Sequence, residues 1–112
     1  MLFFLFGYFI PLKLYNSARK AGIKIGITDI LKMRLRKVPP AVVLKPLIEA
    51  KKEGLSIEHE KLQAHYLAGG DVERVIDALL FAKQKRVDFK FERAAAMDLG
   101  DYDLREEINK KT

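Results

Sequence analysis

The amino-acid sequence predicts an all-α fold of short helices joined by tight turns. Apolar residues recur at intervals of three and four along most of the chain, and candidate capping residues, glycines and prolines separate the runs. The chain has 112 residues, of which 49% are hydrophobic and 32% charged, a composition typical of a folded protein with room for one domain. It contains no cysteine, which excludes disulfides, thiolate metal sites and cysteine nucleophiles.

An apolar run dense in phenylalanine opens the sequence. A helix that crosses a bilayer needs roughly 20 apolar residues, and this run has about half of that, with Gly7 and Pro11 weakening a straight helix. A secretory signal does not fit, because its positive charges precede the apolar run, whereas here they follow it. We therefore interpret residues 1–20 as a membrane-associating segment, re-entrant or interfacial; the alternative is a buried core segment of a soluble domain. The predicted membrane-contacting side chains are Leu2, Phe3, Phe4, Leu5, Phe6, Tyr8, Phe9, Ile10 and Leu12.

The positive charge of the chain is concentrated directly after this run. Residues 13–37 contain eight basic side chains and one acidic one, Asp29, whereas the rest of the chain has 13 basic and 14 acidic residues. A basic flank beside an apolar segment is typical of a juxtamembrane region that meets anionic headgroups. The basic segment from Met33 to Val38 could also bind nucleic acid, but its neighbour is the apolar run, and the aromatic residues lie there and not in the basic segment. The predicted anionic-lipid surface consists of Arg19, Lys20, Lys24, Lys32, Arg34, Arg36 and Lys37.

Residues 21–38 are interpreted as a basic juxtamembrane connector followed by an amphipathic helix. The alternation of Ile23, Ile25 and Ile27 with other residues could indicate a short strand. Three β-branched residues are a weak signal for a strand, so we interpret this stretch as a connector. Thr28 stands where an N-cap is expected, and the helix should end before Pro39-Pro40.

Residues 39–112 are predicted to form a small helical domain. Gly54, Gly69-Gly70 and Gly100 mark its turns. The expected helices cover residues 41–53, with a kink or a restart at Pro46, then 57–68 capped by Ser56, 72–86 capped by Asp71, 88–99, and 102–110 capped by Asp101.

No catalytic, cofactor-binding or metal-binding residue is predicted. His59 and His65 are six positions apart and lie on different faces of one helix, so they cannot jointly hold a metal. Both are interpreted as ordinary helix residues, His59 in a solvated first turn. The aspartates Asp98, Asp101 and Asp103 lack the spacing of a calcium loop and are interpreted as helix caps.

Several stretches resemble the bacterial flotillin-like FloA family, in the family's order from Ala21 to Leu99. They are Ala21-Gly-Ile-Lys-Ile25, Met33-Arg-Leu-Arg-Lys-Val38, Lys45-Pro-Leu-Ile-Glu-Ala50, His65-Tyr-Leu-Ala-Gly-Gly-Asp-Val72 and Phe91-Glu-Arg-Ala-Ala-Ala-Met-Asp-Leu99. The resemblance implies a membrane protein of the bacterial cell that self-assembles and organises membrane microdomains, with other membrane proteins as clients and no defined catalytic residues. It also implies a helical domain on the cytoplasmic side.

Members of that family continue into a β-rich flotillin domain and a long coiled coil, so the chain corresponds to their N-terminal portion, as a truncated product or a divergent partner. Two functional hypotheses follow. The first is a membrane-associated scaffold that forms homo-oligomers on an anionic bilayer. The second is a soluble basic helical module that binds nucleic acid or a protein partner.

Overall fold

A computed structural model describes residues 12–111, and all regular secondary structure in that range is helical. The prediction of an all-α fold is confirmed for this part of the chain. Of the predicted membrane-contacting residues, those from Leu2 to Ile10 lie outside the described range, and Leu12 begins the first helix. The helices are α1 (Leu12–Lys20), α2 (Ile27–Leu35), α3 (Pro40–Lys52), α4 (His59–Leu67), α5 (Val72–Gln84), α6 (Phe91–Leu99) and α7 (Leu104–Lys110).

The chain divides into two compact units, residues 1–63 and residues 64–112, and the division falls within α4. The boundaries at residues 20 and 38 that the sequence suggests concern membrane attachment, and they stay a prediction.

In the first unit, α1 and α2 both pack on α3. Each fully buried aliphatic side chain contributes about 1.5–3 kcal/mol, so burial of these apolar faces stabilises helices that are too short to persist alone. The buried apolar residues of this unit are Ala18, Ile25, Ile30, Met33, Val38, Val43, Leu44, Leu47, Ala50 and Leu62.

Helix α2 begins at Ile27, so the prediction that Thr28 is its N-cap is wrong. The N-cap is Gly26, which has no side chain to mark the position, and the Asp29 carboxylate accepts a hydrogen bond from the Gly26 N–H at 2.8 Å. This is the N3-to-N-cap half of a capping box. Residues 23–26 form the predicted connector.

Helix α3 runs through Pro46 without interruption, so the predicted restart at this residue is wrong. Pro46 has no N–H and removes the hydrogen bond to the carbonyl of Val42. Its ring is buried, and burial of the surrounding apolar face holds the helix together despite that loss. At the start of α3, Pro39 is the N-cap and Pro40 occupies the first helical position, where a missing N–H costs nothing.

In the second unit, α5 packs on both α6 and α7, which also contact each other. The predicted cap of α5 is confirmed, since the Asp71 carboxylate accepts a hydrogen bond from the Arg74 N–H at 3.1 Å. The buried apolar residues of this unit are Val72, Val75, Ile76, Ala78, Leu79, Ala82, Phe89, Ala94, Leu104 and Ile108.

Two predicted caps are wrong. Ser56 does not cap α4, which begins at His59; its hydroxyl accepts a hydrogen bond from the Lys51 ammonium at 3.0 Å. Asp101 does not cap α7, because Asp103 does so by accepting from the Glu106 N–H at 3.1 Å.

Six of the seven helices in residues 12–111, α1 to α6, end in the same turn. A residue with positive φ follows the C-cap, its N–H bonds the carbonyl three residues back, and the next N–H bonds the carbonyl five residues back. This is the Schellman arrangement, and the left-handed conformation it requires favours glycine. The residues with positive φ are Gly22, Lys37, Gly54, Gly69, Arg86 and Asp101.

Replacement of Gly69 by alanine tests the energetic cost of this conformation. Gly69 has φ +91°, and a Cβ there would meet no atom within 4 Å, so steric clash does not contribute. We expect Gly69→Ala to lower the free energy of unfolding by about 1 kcal/mol, because an L-residue is strained in the left-handed region. Urea denaturation followed by circular dichroism measures the change.

The matched control is Arg86→Gly, which relieves a positive φ of 58° at an exposed site. It should raise the free energy of unfolding by about 0.5–1 kcal/mol. Equal effects of the same sign from the two substitutions would contradict the assignment of strain to these turns.

Candidate functional site

Of the seven residues predicted to face anionic lipid, six are exposed, and Arg34 is partly exposed. Arg19 and Lys20 end α1, where basic side chains interact favourably with the helix dipole. Lys24 lies in the connector, and Lys32 lies on α2. The remaining members of the set are Arg34 near the end of α2, its C-cap Arg36, and Lys37 in the left-handed turn.

Asp29, the one acidic residue between residues 13 and 37, is tied to the protein itself. One of its carboxylate oxygens accepts the Gly26 N–H at 2.8 Å and lies 3.9 Å from the His59 ring. Its negative charge therefore stabilises the first turn of α2. The basic residues of this stretch have no other acidic neighbour in the sequence.

Helix α2 carries apolar residues on two faces. Ile30 and Met33 are fully buried against the rest of the first unit, whereas Ile27, Leu31 and Leu35 are 42%, 38% and 79% exposed. The exposed three follow one another at intervals of four residues, which places them along one side of the helix. We call them the outer row. The sequence could not separate the outer row from the buried residues, because both consist of aliphatic side chains.

A chain of hydrogen bonds connects the end of α2 to α4 within the first unit. The Arg36 guanidinium donates to the Gln63 side-chain oxygen at 3.3 Å, and the Gln63 amide nitrogen lies 2.8 Å from His59 Nδ1. His59 Nε2 lies 3.0 Å from the Glu60 carboxylate. Every group is satisfied when the His59 proton is placed on Nε2. The prediction of a solvated His59 is wrong, because its ring is buried and fixes Gln63.

The first unit also contains an open pocket of about 560 Å³, whose lining includes Ile23, Leu47, Lys51 and His59. Its apolar side chains come from the connector, from α3 and from the segment between α3 and α4, which contributes Leu55 and Ile57. Of the two lysines in the lining, Lys51 donates to the Ser56 hydroxyl, so these two polar groups are already paired with each other.

In the second unit, Asp98 gathers three hydrogen-bond donors from two other segments. Its Oδ2 lies 2.7 Å from His65 Nε2 and accepts the Asp71 N–H at 2.7 Å, and its Oδ1 accepts from Arg74 Nη1 at 3.0 Å. The His65 and Asp98 side chains are each only 2% exposed. The Arg74 guanidinium also donates to the Tyr102 carbonyl. The cluster thus joins α4, the start of α5 and the end of α6.

The interpretation of Asp98 as a helix cap is wrong, and His65, interpreted as an ordinary helix residue, is buried in contact with Asp98. The two residues are 33 positions apart, and no local pattern marks their contact. Gly70 makes the contact possible, because a Cβ there would lie 2.1 Å from His65 Nε2. The sequence contains one indirect signal of this contact, the Gly69-Gly70 pair. Gly69 alone is enough for the turn that ends α4, so the second glycine indicates a close approach by another group.

Within residues 12–111, no helix is both long and apolar enough to cross a membrane. The same part of the chain holds no group of three or more His, Cys, Asp or Glu side chains placed to bind a metal ion.

In residues 12–111 the fold is all-helical, and its first unit presents basic residues around an exposed apolar row. The chain belongs to the flotillin-like FloA family, since the family model for flotillin-like protein FloA matches residues 1–111. The resemblance found in the sequence is thereby confirmed.

Two relatives illustrate the similarity. Flotillin-like protein FloA of Dictyoglomus turgidum is 50% identical over 101 residues, covering 89% of this chain and 31% of that protein. Flotillin-like protein FloA of Staphylococcus aureus strain JH9 is 47% identical over 100 residues, covering 89% of this chain and 30% of that protein. The chain therefore spans about a third of the length of these curated relatives. No solved structure matches the chain.

Removal of the Asp98 carboxylate tests the role of the buried cluster. We expect Asp98→Ala to lower the free energy of unfolding by about 3–5 kcal/mol, because it leaves His65, Arg74 and the Asp71 N–H without their shared acceptor. Urea denaturation of the purified chain measures the loss.

The control is Asp77→Ala, which breaks an ion pair with Arg105 in which both side chains are more than half exposed. Exposed pairs contribute about 0.2–1 kcal/mol, so this variant should remain close to the wild-type protein. A loss at Asp98 no larger than that at Asp77 would show that the buried cluster does not hold the second unit together.

Proposed function

We propose that this chain attaches to the cytoplasmic face of the bacterial cell membrane and contributes to organising membrane microdomains through self-association, without catalysing a reaction. The observation that carries the proposal is the exposed basic surface of the first unit. A net charge of +7 is confined to residues 13–37, and the only acidic residue among them is engaged by the start of α2. Anionic headgroups attract such a segment.

Membrane lipid is a better match for this surface than nucleic acid. Nucleic acid is bound by basic residues together with aromatic or polar side chains that stack on bases or contact their edges. On α2 the side chains between Lys32, Arg34 and Arg36 are apolar, and the helix exposes Ile27, Leu31 and Leu35. An apolar row within a basic surface favours a medium that offers both phosphate and hydrocarbon.

Self-association is proposed from family membership alone. The chain spans about a third of the length of the relatives, and their name, flotillin-like protein, is the support for the proposal. Homo-oligomers on the membrane, with other membrane proteins as clients, are the arrangement we propose.

Neutralisation of three basic residues tests membrane attachment. Each lysine close to an anionic membrane contributes about 1 kcal/mol, so the combined change Lys20→Gln, Lys24→Gln and Lys32→Gln should weaken vesicle binding by about two orders of magnitude. The measurement is flotation of the full chain with vesicles of phosphatidylglycerol and phosphatidylcholine, over a series of salt concentrations.

The matched control neutralises three exposed lysines of the second unit, Lys90, Lys110 and Lys111, also to glutamine. It removes the same charge and should retain most of the binding. Equal loss in the two variants would mean that net charge alone drives binding. Recovery of the wild-type protein in the soluble fraction, together with a salt-dependent gel shift on DNA, would overturn the proposal in favour of a nucleic-acid-binding module.

A further inference from the structure

We propose that α2 lies in the plane of an anionic bilayer surface, with the outer row of Ile27, Leu31 and Leu35 inserted between the lipid headgroups. This inference rests on the proposed membrane attachment and identifies the surface that makes the contact. The geometry of α2, the position of its charges and its length each support it.

The faces of α2 are assigned by burial. Ile30 and Met33 have no exposed area and hold the helix on the first unit, so the outer row points away from that core. Leu35 is 79% exposed, the largest exposed fraction of any large apolar side chain in the described part of the chain. A helix held on one side by a core and presenting aliphatic residues on the other is fixed in a definite orientation toward a second apolar medium.

Basic residues flank the outer row on both sides. With 3.6 residues per turn, Lys32 lies roughly 100° from Leu31 in one direction and Arg34 roughly 60° in the other. Lys32 is exposed, and its long side chain can extend toward phosphates while the apolar row enters the acyl boundary. Asp29 lies roughly 160° from Leu31 around the helix, away from the row.

Helix α2 is too short to span the bilayer, which favours an orientation along its surface. Its nine residues extend about 14 Å, less than half of the roughly 30 Å hydrocarbon thickness. A symmetric contact with a second copy of the chain is disfavoured, because it would bring the same lysines and arginines face to face. An anionic bilayer supplies both the opposite charge and the apolar medium.

The absence of cysteine from the sequence allows a single labelled position to report on insertion. We would introduce Leu35→Cys in the outer row and, as the matched control, Leu99→Cys, which lies in the second unit and is 50% exposed. Each protein is labelled with the polarity-sensitive fluorophore NBD and mixed with phosphatidylglycerol vesicles that contain nitroxide-labelled acyl chains. Flotation in the same samples measures binding independently.

At Leu35 we expect a blue-shifted emission and quenching by the nitroxide lipids, and at Leu99 neither. Binding by flotation without a change at Leu35 would overturn the insertion of α2 and leave membrane attachment standing. Absence of vesicle binding altogether would instead overturn the proposed function. A blue shift at Leu35 that grows with protein concentration in the absence of vesicles would assign the row to contacts between copies.

A second variant avoids the label. Leu31→Ser combined with Leu35→Ser removes side chains that are 38% and 79% exposed, and circular dichroism checks that the helices persist. Vesicle affinity should fall by at least tenfold for each leucine that leaves the hydrocarbon, whereas Leu67→Ser combined with Leu99→Ser should leave it unchanged. Equal affinities of the outer-row variant and the wild-type protein would overturn the proposal.

Discussion

The left-handed turn that ends each of α1 to α6 is the constraint on which the described structure depends. Helices of 9 or 13 residues leave carbonyl groups unpaired at their ends, and the Schellman arrangement pairs them while the chain changes direction. The residue after the turn is often apolar. Val38 is one example, fully buried directly after the left-handed Lys37. The turn therefore ends one helix and also anchors the start of the connection to the next.

Polar side chains inside the two units supplement this apolar packing in different ways. In the first unit, His59 and Gln63 transmit hydrogen bonds from Arg36 to Glu60 in a line, each group contacting the next. In the second unit, Asp98 is a centre at which several donors converge. Loss of an inner member of the line, Gln63 or His59, breaks its contacts with two neighbours, whereas loss of the centre leaves His65, Arg74 and the Asp71 N–H without their shared acceptor.

The sequence predicts helix existence well and helix ends poorly, for a physical reason. Apolar periodicity reports which face is buried, and it located α3 and α5 correctly. Termini depend on individual backbone conformations, and the left-handed turns at Lys37, Arg86 and Asp101 occur without glycine. Asp101 illustrates the consequence: an aspartate before a helix suggests a cap, yet here it is the strained residue after one.

The sequence predicts the charge of the candidate surface, but it does not predict which apolar residues of that surface are exposed. A run of basic residues is exposed almost by necessity, because isolated charges are costly to bury. Aliphatic residues give no such signal, since Met33 and Leu31 have similar hydrophobicity and opposite environments. The cluster around Asp98 depends on contacts between distant segments, and the Gly69-Gly70 pair is its one indirect sign in the sequence.

The short connections between helices also bear on the resistance of the chain to proteases. The longest connections in the described range contain six residues, and each is bounded by a hydrogen-bonded turn. A protease must draw its substrate into an extended conformation, and nicking concentrates at exposed, flexible loop tips. With 21 lysines and arginines, the chain offers trypsin many bonds, but most of those within the described range lie in helices. The packing of the two units, more than the sequence of cleavable bonds, should therefore determine how long the chain survives digestion.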